Sequence, residues 1–446
     1  MKLKFDRTFW FEALVVLLAV NYMIVTVVLG DRAVFKYLRD LVLIYLVFRI
    51  CARGEVYKPA GLPCVVLFFA CLMVGFFRAP SVGTGVTVLR RYLFPLLMFF
   101  AAANLRLYRD FNRFSRFIVA TFVILALWGV FQADLLGDGF LRRLGYPVEY
   151  NYGYKRDMLY NSFYFGGLGI QRVVATFSSS NICALATGTA LIFLGVCYPC
   201  LRHIRHRNLA LIALGLGYLL SFSRSNMLAM AVVALVLVWP YIPHRKALLC
   251  AAAFAAALVV VVGIYQGKSG IFYKLLNWVQ TTLNFTESSA GGRSRIWKEA
   301  FQAVMKYPLG LGFGHVGALA DQAGVTKLRF SSENSYLAIA LDTGWAGLLL
   351  YLGFLFISIW RLREYARRFR GQGNLLGSRL CTAGYAIVVY MMVVMFFSNH
   401  IHDMEVVSYA YMYAGLAISY ARGAESEAGD DAPDAEPPRL RSAGEA

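Results

Sequence analysis

Twelve apolar windows of about 17 to 25 residues constrain the fold of this chain more than any other feature. Helices of that length cross a bilayer, because an α-helix satisfies all of its backbone hydrogen bonds internally. Hydrophobic residues make up 59% of the chain and charged residues 15%, against about a quarter charged in soluble domains. We therefore predict an all-α polytopic membrane protein with about twelve transmembrane helices. The windows lie near 9–29, 34–50, 61–77, 87–104, 114–134, 173–196, 208–222, 225–242, 247–265, 336–360, 379–398 and 404–421.

Lys and Arg cluster in every second connection, and this bias predicts the orientation of the helices. Positive residues in short loops are retained on the cytoplasmic side of a membrane. They are dense in connections such as 202–207 and 361–379 and sparse in the alternate short connections. Both termini are therefore predicted to be cytoplasmic. Two long connections, 135–172 and 266–335, then face outward, the second as a large and partly helical loop between spans 9 and 10.

The two ends of the chain differ in character. Met1–Arg7 is charged and precedes a full apolar window without a small-residue cleavage site, which predicts an uncleaved first helix. Residues 423–446 are acidic and proline-containing, so we predict a membrane domain over 1–422 and a disordered cytoplasmic tail after it. The formal net charge of +19 follows from the loop bias and does not indicate nucleic acid binding.

Two short motifs suggest cofactor chemistry but lack its context. Cys197-Tyr-Pro-Cys200 has neither a second pair nor a thioredoxin-like pattern around it, so reduced thiols are predicted. Gly310-x-Gly312-x-Gly314 lacks the preceding strand of a dinucleotide-binding unit. We predict that these glycines let the outward loop turn sharply beside the bilayer.

Arginines at the predicted outward ends of helices are candidate ligands for phosphate. An enzyme on that face has no nucleoside triphosphate, so it needs an activated substrate delivered through the membrane, such as a lipid pyrophosphate-linked sugar. A planar guanidinium pairs with phosphate oxygens and stays charged, and ionisable groups at membrane depth are functional candidates. Snorkelling to lipid headgroups is the alternative for each one. The candidates are Arg90, Arg91, Arg172, Arg224, Arg293 and Arg295, of which the last two begin a predicted helix ending at Met305.

Glu333 is the candidate base for an acceptor hydroxyl, because it immediately precedes a predicted span. A plain ion pair with a neighbouring arginine is the alternative. His400-Ile-His402-Asp403, in the last outward connection, offers too few ligands for a zinc site, and a surface or hydrogen-bonded role is predicted. If Glu333 is not the base, His400 or His402 is the next candidate for that role. No Asp-x-Asp occurs, and we predict neither a metal nor a cofactor.

Four segments in this order resemble the O-antigen ligase and polymerase family of polytopic transferases, and the resemblance covers roughly residues 85–420. The last two segments are the specific ones. The four are Arg172-Val-Val-Ala-Thr-Phe-Ser-Ser-Ser-Asn181; Ser221-Phe-Ser-Arg224-Ser; Gly292-Arg293-Ser-Arg-Ile-Trp297 with Pro308-Leu-Gly-Leu-Gly-Phe-Gly314; and Glu333-Asn334 followed by Gly344-Trp-Ala-Gly347.

The resemblance implies transfer of a glycan from undecaprenyl pyrophosphate to an acceptor sugar hydroxyl. It also implies a bacterial inner membrane, with the active site and the two long connections facing the periplasm. It implies that Arg224 and Arg293 hold the pyrophosphate and that Asn334 belongs to the family's conserved block. Glu333 stands where ligases have a histidine, which favours polymerisation of O-antigen or exopolysaccharide repeats, with a chain-length regulator as an optional partner. Ligation to lipid A-core is the alternative. A transporter or flippase of lipid-linked glycans is the alternative of another class, although no internal repeat of the transporter kind is visible.

Overall fold

The computed structural model describes the helices of most predicted spans. The ninth apolar window near 247–265, His402 and the tail beyond residue 430 lie outside the described residues. The residues that the structure describes are 7–23, 37–52, 54, 56–105, 107–144, 146, 148–151, 156–159, 164–165, 170–239, 288–317, 320, 330, 333–401 and 403–430.

Helices overlap the predicted windows throughout this part of the chain, so the helical class is confirmed there. In chain order they are α1 Arg7–Asn21, α2 Leu38–Cys51, α3 Leu62–Phe77, α4 Val82–Ala103, α5 Leu107–Phe131, α6 Gly137–Arg143, α7 Ser180–Cys197, α8 Arg207–Leu219, α9 Arg224–Val238, α10 Ser288–Lys306, α11 Ser335–Gly371, α12 Leu375–Phe397 and α13 Met404–Asp430.

Among the described residues, five helical segments are long and apolar enough to cross a membrane, as judged by length and composition. Three further helices in this part of the chain, α3, α8 and α9, are apolar but shorter. The total of twelve spans and the outward placement of the long loops stay predictions. The five segments are Val82–Ala103, Asp110–Leu136, Ser180–Cys200, Ser335–Gly371 and Leu375–Phe397.

The connection between α5 and α7, predicted as an outward loop, is partly folded. It contains α6 and two antiparallel strand pairs. In these, β1 (Val148–Asn151) pairs with β2 (Arg156–Leu159), and β3 (Tyr164–Phe165) pairs with β4 (Ile170–Gln171). These short strands are the exception to the helical architecture of the described residues.

Helix α12 contacts four of the other helices. It packs against α7, α9, α11 and α13, and 67% of its most apolar window is buried within the protein. Its start is fixed by Asn374, whose side-chain oxygen accepts a hydrogen bond from the Gly377 N–H at 2.9 Å. Because α12 touches four other helices, its two ends bring together residues that are far apart in the sequence.

The last helix runs further than the apolar pattern predicts. Helix α13 continues past residue 423, where the predicted tail begins, to Asp430. Glu425 accepts a hydrogen bond from Arg368 of α11 at 2.5 Å. This ion pair fastens the polar end of α13 to a neighbouring helix, which an apolar window cannot reveal.

The glycine-rich loop after α10 is inserted into a break in α11. Gly344, inside α11, has a φ of 77°, which interrupts the hydrogen bonding of that helix. Leu311 N–H donates to the Leu341 carbonyl at 2.6 Å, and Trp345 N–H donates to the Pro308 carbonyl at 3.0 Å. The loop thus satisfies backbone groups that the break exposes, as irregular backbone at membrane depth requires.

The predicted sharp turns of this loop are confirmed. Gly310, Gly312 and Gly314 have φ values of 75°, 98° and 87°. A Cβ on Gly312 would lie 2.5 Å from the Cβ of Arg78, whose guanidinium donates to the Gly310 carbonyl at 3.1 Å. The motif therefore serves close packing between this loop and the end of α3.

Gly312→Ala should lower the unfolding temperature of the detergent-solubilised protein. The substitution adds both the clash with Arg78 and a backbone strain of about 1 to 3 kcal/mol. Gly215→Ala is the matched control, since a Cβ at this position in α8 meets nothing within 4 Å. Size-exclusion chromatography after heating measures both variants, and equal midpoints for the two would refute the packing role.

Candidate functional site

The start of α11 is fastened to the last turn of α12. Asn334 Oδ1 accepts hydrogen bonds from the N–H groups of Tyr336 and Leu337 at 2.9 and 3.1 Å, which caps α11. Its Nδ2 donates to the Phe396 carbonyl of α12 at 2.8 Å. The half-buried Glu333 is the next residue back along the chain. The predicted base is therefore held at a rigid junction between two helices.

The connection from α12 to α13 is tied to the same junction. Ser335 Oγ donates to the Ser398 carbonyl at 2.8 Å and accepts from the His400 N–H at 2.9 Å. Sequence analysis gave Ser335 no role. The buried Ser335 hydroxyl therefore holds the segment that carries His400 next to the segment that carries Glu333, although the two are far apart in the sequence.

His400 and Asp403 form an oriented pair beside this junction. His400 Nδ1 lies 2.9 Å from Asp403 Oδ2, and the histidine is 4% exposed. Its Nε2 is buried and has no hydrogen-bond partner among the described residues. A carboxylate on one ring nitrogen fixes the tautomer and leaves the other nitrogen available for proton transfer. The predicted hydrogen-bonded role of His400 is confirmed.

Helix α10 docks on the same end of α12 through Trp297. The Trp297 ring lies 5.4 Å from that of Phe396 and 6.2 Å from that of Phe397. Arg293 precedes Trp297 by one helical turn, so its backbone lies on the docked side of α10. The Arg293 side chain lies outside the described residues. The helix predicted to run to Met305 is confirmed within α10.

Arg295 occupies a different side of α10 from Arg293. Its side chain is 84% exposed and pairs with Glu299 at 2.9 Å, one turn later in the helix. Two residues correspond to more than half a turn of α-helix, so the backbone positions of the two residues lie on different sides of the helix. Arg295 stays a predicted substrate ligand, but its local geometry is that of a surface ion pair.

A second cationic group lies at the turn between α8 and α9. Arg172 donates to the carbonyls of Ser221 and Phe222 at 2.7 and 3.2 Å, and to Asn181 Oδ1 at 3.0 Å. Burial, and then the positive charge of Arg224, lowers the pKa of Arg172 to about 10, so it stays protonated at neutral pH. Two guanidinium groups are thus held within electrostatic reach of each other, a favourable arrangement for a polyanion.

The turn that presents Arg224 has strained backbone. Phe222 has a φ of 49° and Ala175 one of 51°; within the described ranges these are the non-glycine residues in the left-handed region. Such strain persists where surrounding contacts enforce it and is concentrated at functional sites. Here the Arg172 guanidinium binds the carbonyl of Phe222 itself. Arg172 therefore holds the turn from which α9 and Arg224 begin.

Asn226 connects this turn to α12. The buried amide donates to the Asn181 carbonyl at 3.2 Å and accepts from the Tyr390 hydroxyl at 2.6 Å. Tyr390 lies in the same helix as Phe396, about two turns before it. Both the Arg224 turn and the Glu333 junction are therefore built on the second half of α12.

Arg90 and Arg91 belong to a cluster of charges where α2, α4 and α13 meet. Arg90 pairs with Asp40 at 3.3 Å, and Arg39 forms an ion pair with Glu405. Arg91 lies in the electrostatic field of Asp403 and Glu405. These acidic partners offset the positive charge of the arginines, so any substrate binding by Arg90 or Arg91 stays a prediction.

Sequence analysis missed three members of this cluster, Arg39, Asp40 and Glu405. A signal was present, because each is an ionisable residue within an apolar window. Burial of Arg39 to 3% exposure is offset by its pairing with Glu405, since an unpaired buried charge is strongly destabilising.

The side chains that could bind a metal are dispersed. Within the described ranges, no group of three or more His, Cys, Asp or Glu residues could hold a metal ion. The seven cysteines described there, including Cys197 and Cys200, are free thiols. These free thiols agree with the predicted reduced state of the cysteines. The metal independence of the protein stays a prediction.

Apolar helices of membrane-spanning length, with polar residues gathered at helix ends, define a polytopic membrane protein. The O-antigen ligase family model matches residues 209–352, so about a third of the 446-residue chain is similar to that family. The match includes Arg224, Arg293 and Glu333 and ends before His400. No curated protein matches the chain significantly.

Proposed function

We propose that this protein is an inner-membrane glycosyltransferase that transfers a glycan from undecaprenyl pyrophosphate to an acceptor sugar hydroxyl on the periplasmic face. The observation that carries the proposal is the meeting of three family segments at the end of α12: α10 through Trp297, the Asn334 cap beside Glu333, and the Arg224 turn through Asn226. The match to the O-antigen ligase family supports the reaction class.

The leaving group is the undecaprenyl pyrophosphate. The bond from the anomeric carbon to the phosphate oxygen breaks, and the electron pair remains on the pyrophosphate. Arg224 and Arg293 neutralise the charge that develops there, and preorganised cations of this kind are usually a large part of catalysis. Arg172 keeps the Arg224 turn in place through its bonds to the Ser221 and Phe222 carbonyls.

The acceptor hydroxyl forms the new bond to the anomeric carbon. Glu333 accepts its proton or orients it, and a positioned base contributes about 10²- to 10⁴-fold to rate. The Asn334 cap fixes the backbone beside Glu333, so that little reorganisation is needed when the acceptor binds. Arg90, Arg91 and Arg295 are further proposed contacts to the substrate.

His400 is a second candidate for the base, and one observation favours it. Its Nδ1 is paired with Asp403 while its buried Nε2 has no partner in the described part of the chain. A histidine oriented in this way can take a proton from a hydroxyl. The Ser335 hydroxyl places it beside the Glu333 segment, so the two candidates would serve one acceptor.

Polymerisation of repeat units is the preferred form of the reaction, because Glu333 replaces the histidine that ligases are expected to carry. Ligation to lipid A-core is the runner-up. The acceptor distinguishes them: purified protein given only lipid-linked repeat units should lengthen the glycan and release undecaprenyl pyrophosphate. Transfer that occurs only when lipid A-core is added would identify a ligase instead.

A transporter of lipid-linked glycans is the alternative from another class. An assay of the same purified protein in reconstituted vesicles distinguishes the transferase from the transporter. Release of lipid pyrophosphate together with a new glycosidic bond supports the transferase. Movement of the lipid between leaflets without any new bond would contradict it.

Arg172→Lys should lower turnover about 10- to 100-fold, since lysine keeps the charge but cannot bridge the Ser221 and Phe222 carbonyls and Asn181 together. The reason is displacement of the Arg224 turn, so kcat should fall more than the donor KM rises. Arg205→Lys, at an exposed position between α7 and α8, is the control. Unchanged kcat in Arg172→Lys would remove Arg172 from the positioning role.

A further inference from the structure

A cavity of about 340 Å³ lies between α7, α9 and α12, near the end of α11. It is lined by the later residues of α7 and α9 and by the early residues of α12. Arg224, Asn334 and Phe396 lie at the opposite ends of those helices. Leu237, in the cavity wall, is about 20 Å along α9 from Arg224, given a rise of 1.5 Å per residue. The cavity is therefore separate from the candidate active site.

The residues that α7 and α9 contribute to the lining of this cavity are apolar. They include Leu191 and Ile192 of α7 and Met230 and Leu237 of α9. Gly195 also lines the cavity, and a Cβ added there meets nothing within 4 Å. The wall residues of α9 extend over about 10 Å of helix, which is long enough for part of an acyl chain.

Cationic side chains line one end of the cavity. Arg370, at the end of α11, and Arg379, near the start of α12, both contribute to its lining. The guanidinium of Arg363 lies 5.7 Å from the ring centre of Tyr385, another lining residue. An apolar slot with arginines at one end is complementary to a molecule with an anionic head and a hydrocarbon tail.

We propose that this cavity binds an anionic membrane phospholipid, with its phosphate between Arg370 and Arg379 and part of one acyl chain between α7 and α9. Basic pockets between transmembrane helices on the cytoplasmic side bind such headgroups, and positive loop residues predict that side for this end of the bundle. The lipid would brace the same helices that present Arg224 and the Asn334 junction at the other end.

The test measures lipid retained by the full-length protein. Protein is reconstituted in nanodiscs of phosphatidylcholine with one fifth phosphatidylglycerol, extracted in mild detergent, and analysed by native mass spectrometry. Wild type should retain phosphatidylglycerol in preference to phosphatidylcholine. Gly195→Leu fills the slot and should lose this preference. Arg379→Gln should reduce it about fivefold, in keeping with about 1 kcal/mol of attraction per basic residue.

Matched controls separate this site from general effects. Gly215→Leu adds the same side chain at another open helical position, and Arg367→Gln removes an exposed arginine that does not line the cavity. Both should retain lipid as wild type does. Equal retention by all variants would overturn the proposal. The proposal would also fail if inorganic phosphate alone raised the unfolding temperature as much as the lipid does. It would fail as well if Gly195→Leu changed the oligomeric state while lipid retention stayed the same. Glycan transfer is not the readout, so failure here leaves the proposed reaction untouched.

Discussion

Arg293→Ala should reduce glycan transfer by at least about 100-fold, the usual effect of removing one preorganised group that stabilises developing charge. Trp297 docks α10 on Phe396 and Phe397 of α12, which places the backbone of Arg293 one turn from that contact. The loss should fall mainly on kcat, because the pyrophosphate gains negative charge as the glycosidic bond breaks. The measurement is release of undecaprenyl pyrophosphate from lipid-linked repeat units by purified protein.

Lys298→Ala is the control for this prediction. It removes a positive charge from an exposed position on the same helix. No substrate contact is proposed for Lys298, so folding and turnover should stay near the wild-type values. Both variants need the wild-type elution profile and unfolding temperature. Wild-type turnover in Arg293→Ala would exclude Arg293 from the site, and an equal loss in both variants would point to general electrostatic attraction of the donor.

Glu333→Gln should lower kcat by about 10²- to 10⁴-fold, the contribution expected of a general base. Glutamine keeps the shape of the side chain and deletes its charge, while the Asn334 cap on Tyr336 and Leu337 is left intact. The donor KM should change little, because Glu333 acts on the acceptor. A full time course with and without the acceptor distinguishes transfer from simple hydrolysis of the donor.

His400→Ala provides the comparison that decides between the two candidate bases. If Glu333 is the base, His400→Ala and Asp403→Asn should each lower kcat less than Glu333→Gln does, because they alter only the conformation of the connection between α12 and α13. If Glu333→Gln keeps full activity while His400→Ala and Asp403→Asn both lose it, the acceptor-activating role moves to the His400–Asp403 pair. Loss in all three variants would indicate that both segments contact the acceptor, which their common attachment at Ser335 permits.

The helices were predictable from sequence because a span must be long and apolar, and that pattern is local. The helix through Arg293, the break before Arg224 and the turns at Gly310, Gly312 and Gly314 follow from the same local reasoning and are confirmed. The ends of helices were less predictable. Helix α13 continues to Asp430, and Glu425 near its polar end pairs with Arg368 of another helix.

The partners of Arg90 and Arg172 lie far from them in the sequence, whereas Arg295 pairs within its own helix. Sequence gave Arg90, Arg172 and Arg295 the same reason for interest, their positions at predicted outward ends. The structure distinguishes their surroundings: Arg90 pairs with Asp40, Arg172 holds the Ser221–Phe222 turn, and Arg295 pairs with Glu299. Hydrogen bonds and ion pairs between helices are set by packing, so their partners are not visible in a run of residues.

The sequence by itself determined that this is a helical membrane protein and that residues 209–352 are similar to the O-antigen ligase family, because hydropathy and motif order are properties of the chain alone. Only the tertiary structure decided which of those segments meet. Asn334 binds the Phe396 carbonyl, Trp297 packs on the same turn, and Ser335 brings in His400. These contacts join residues separated by long stretches of chain, and they form only when α12 packs between its neighbours and fixes their register.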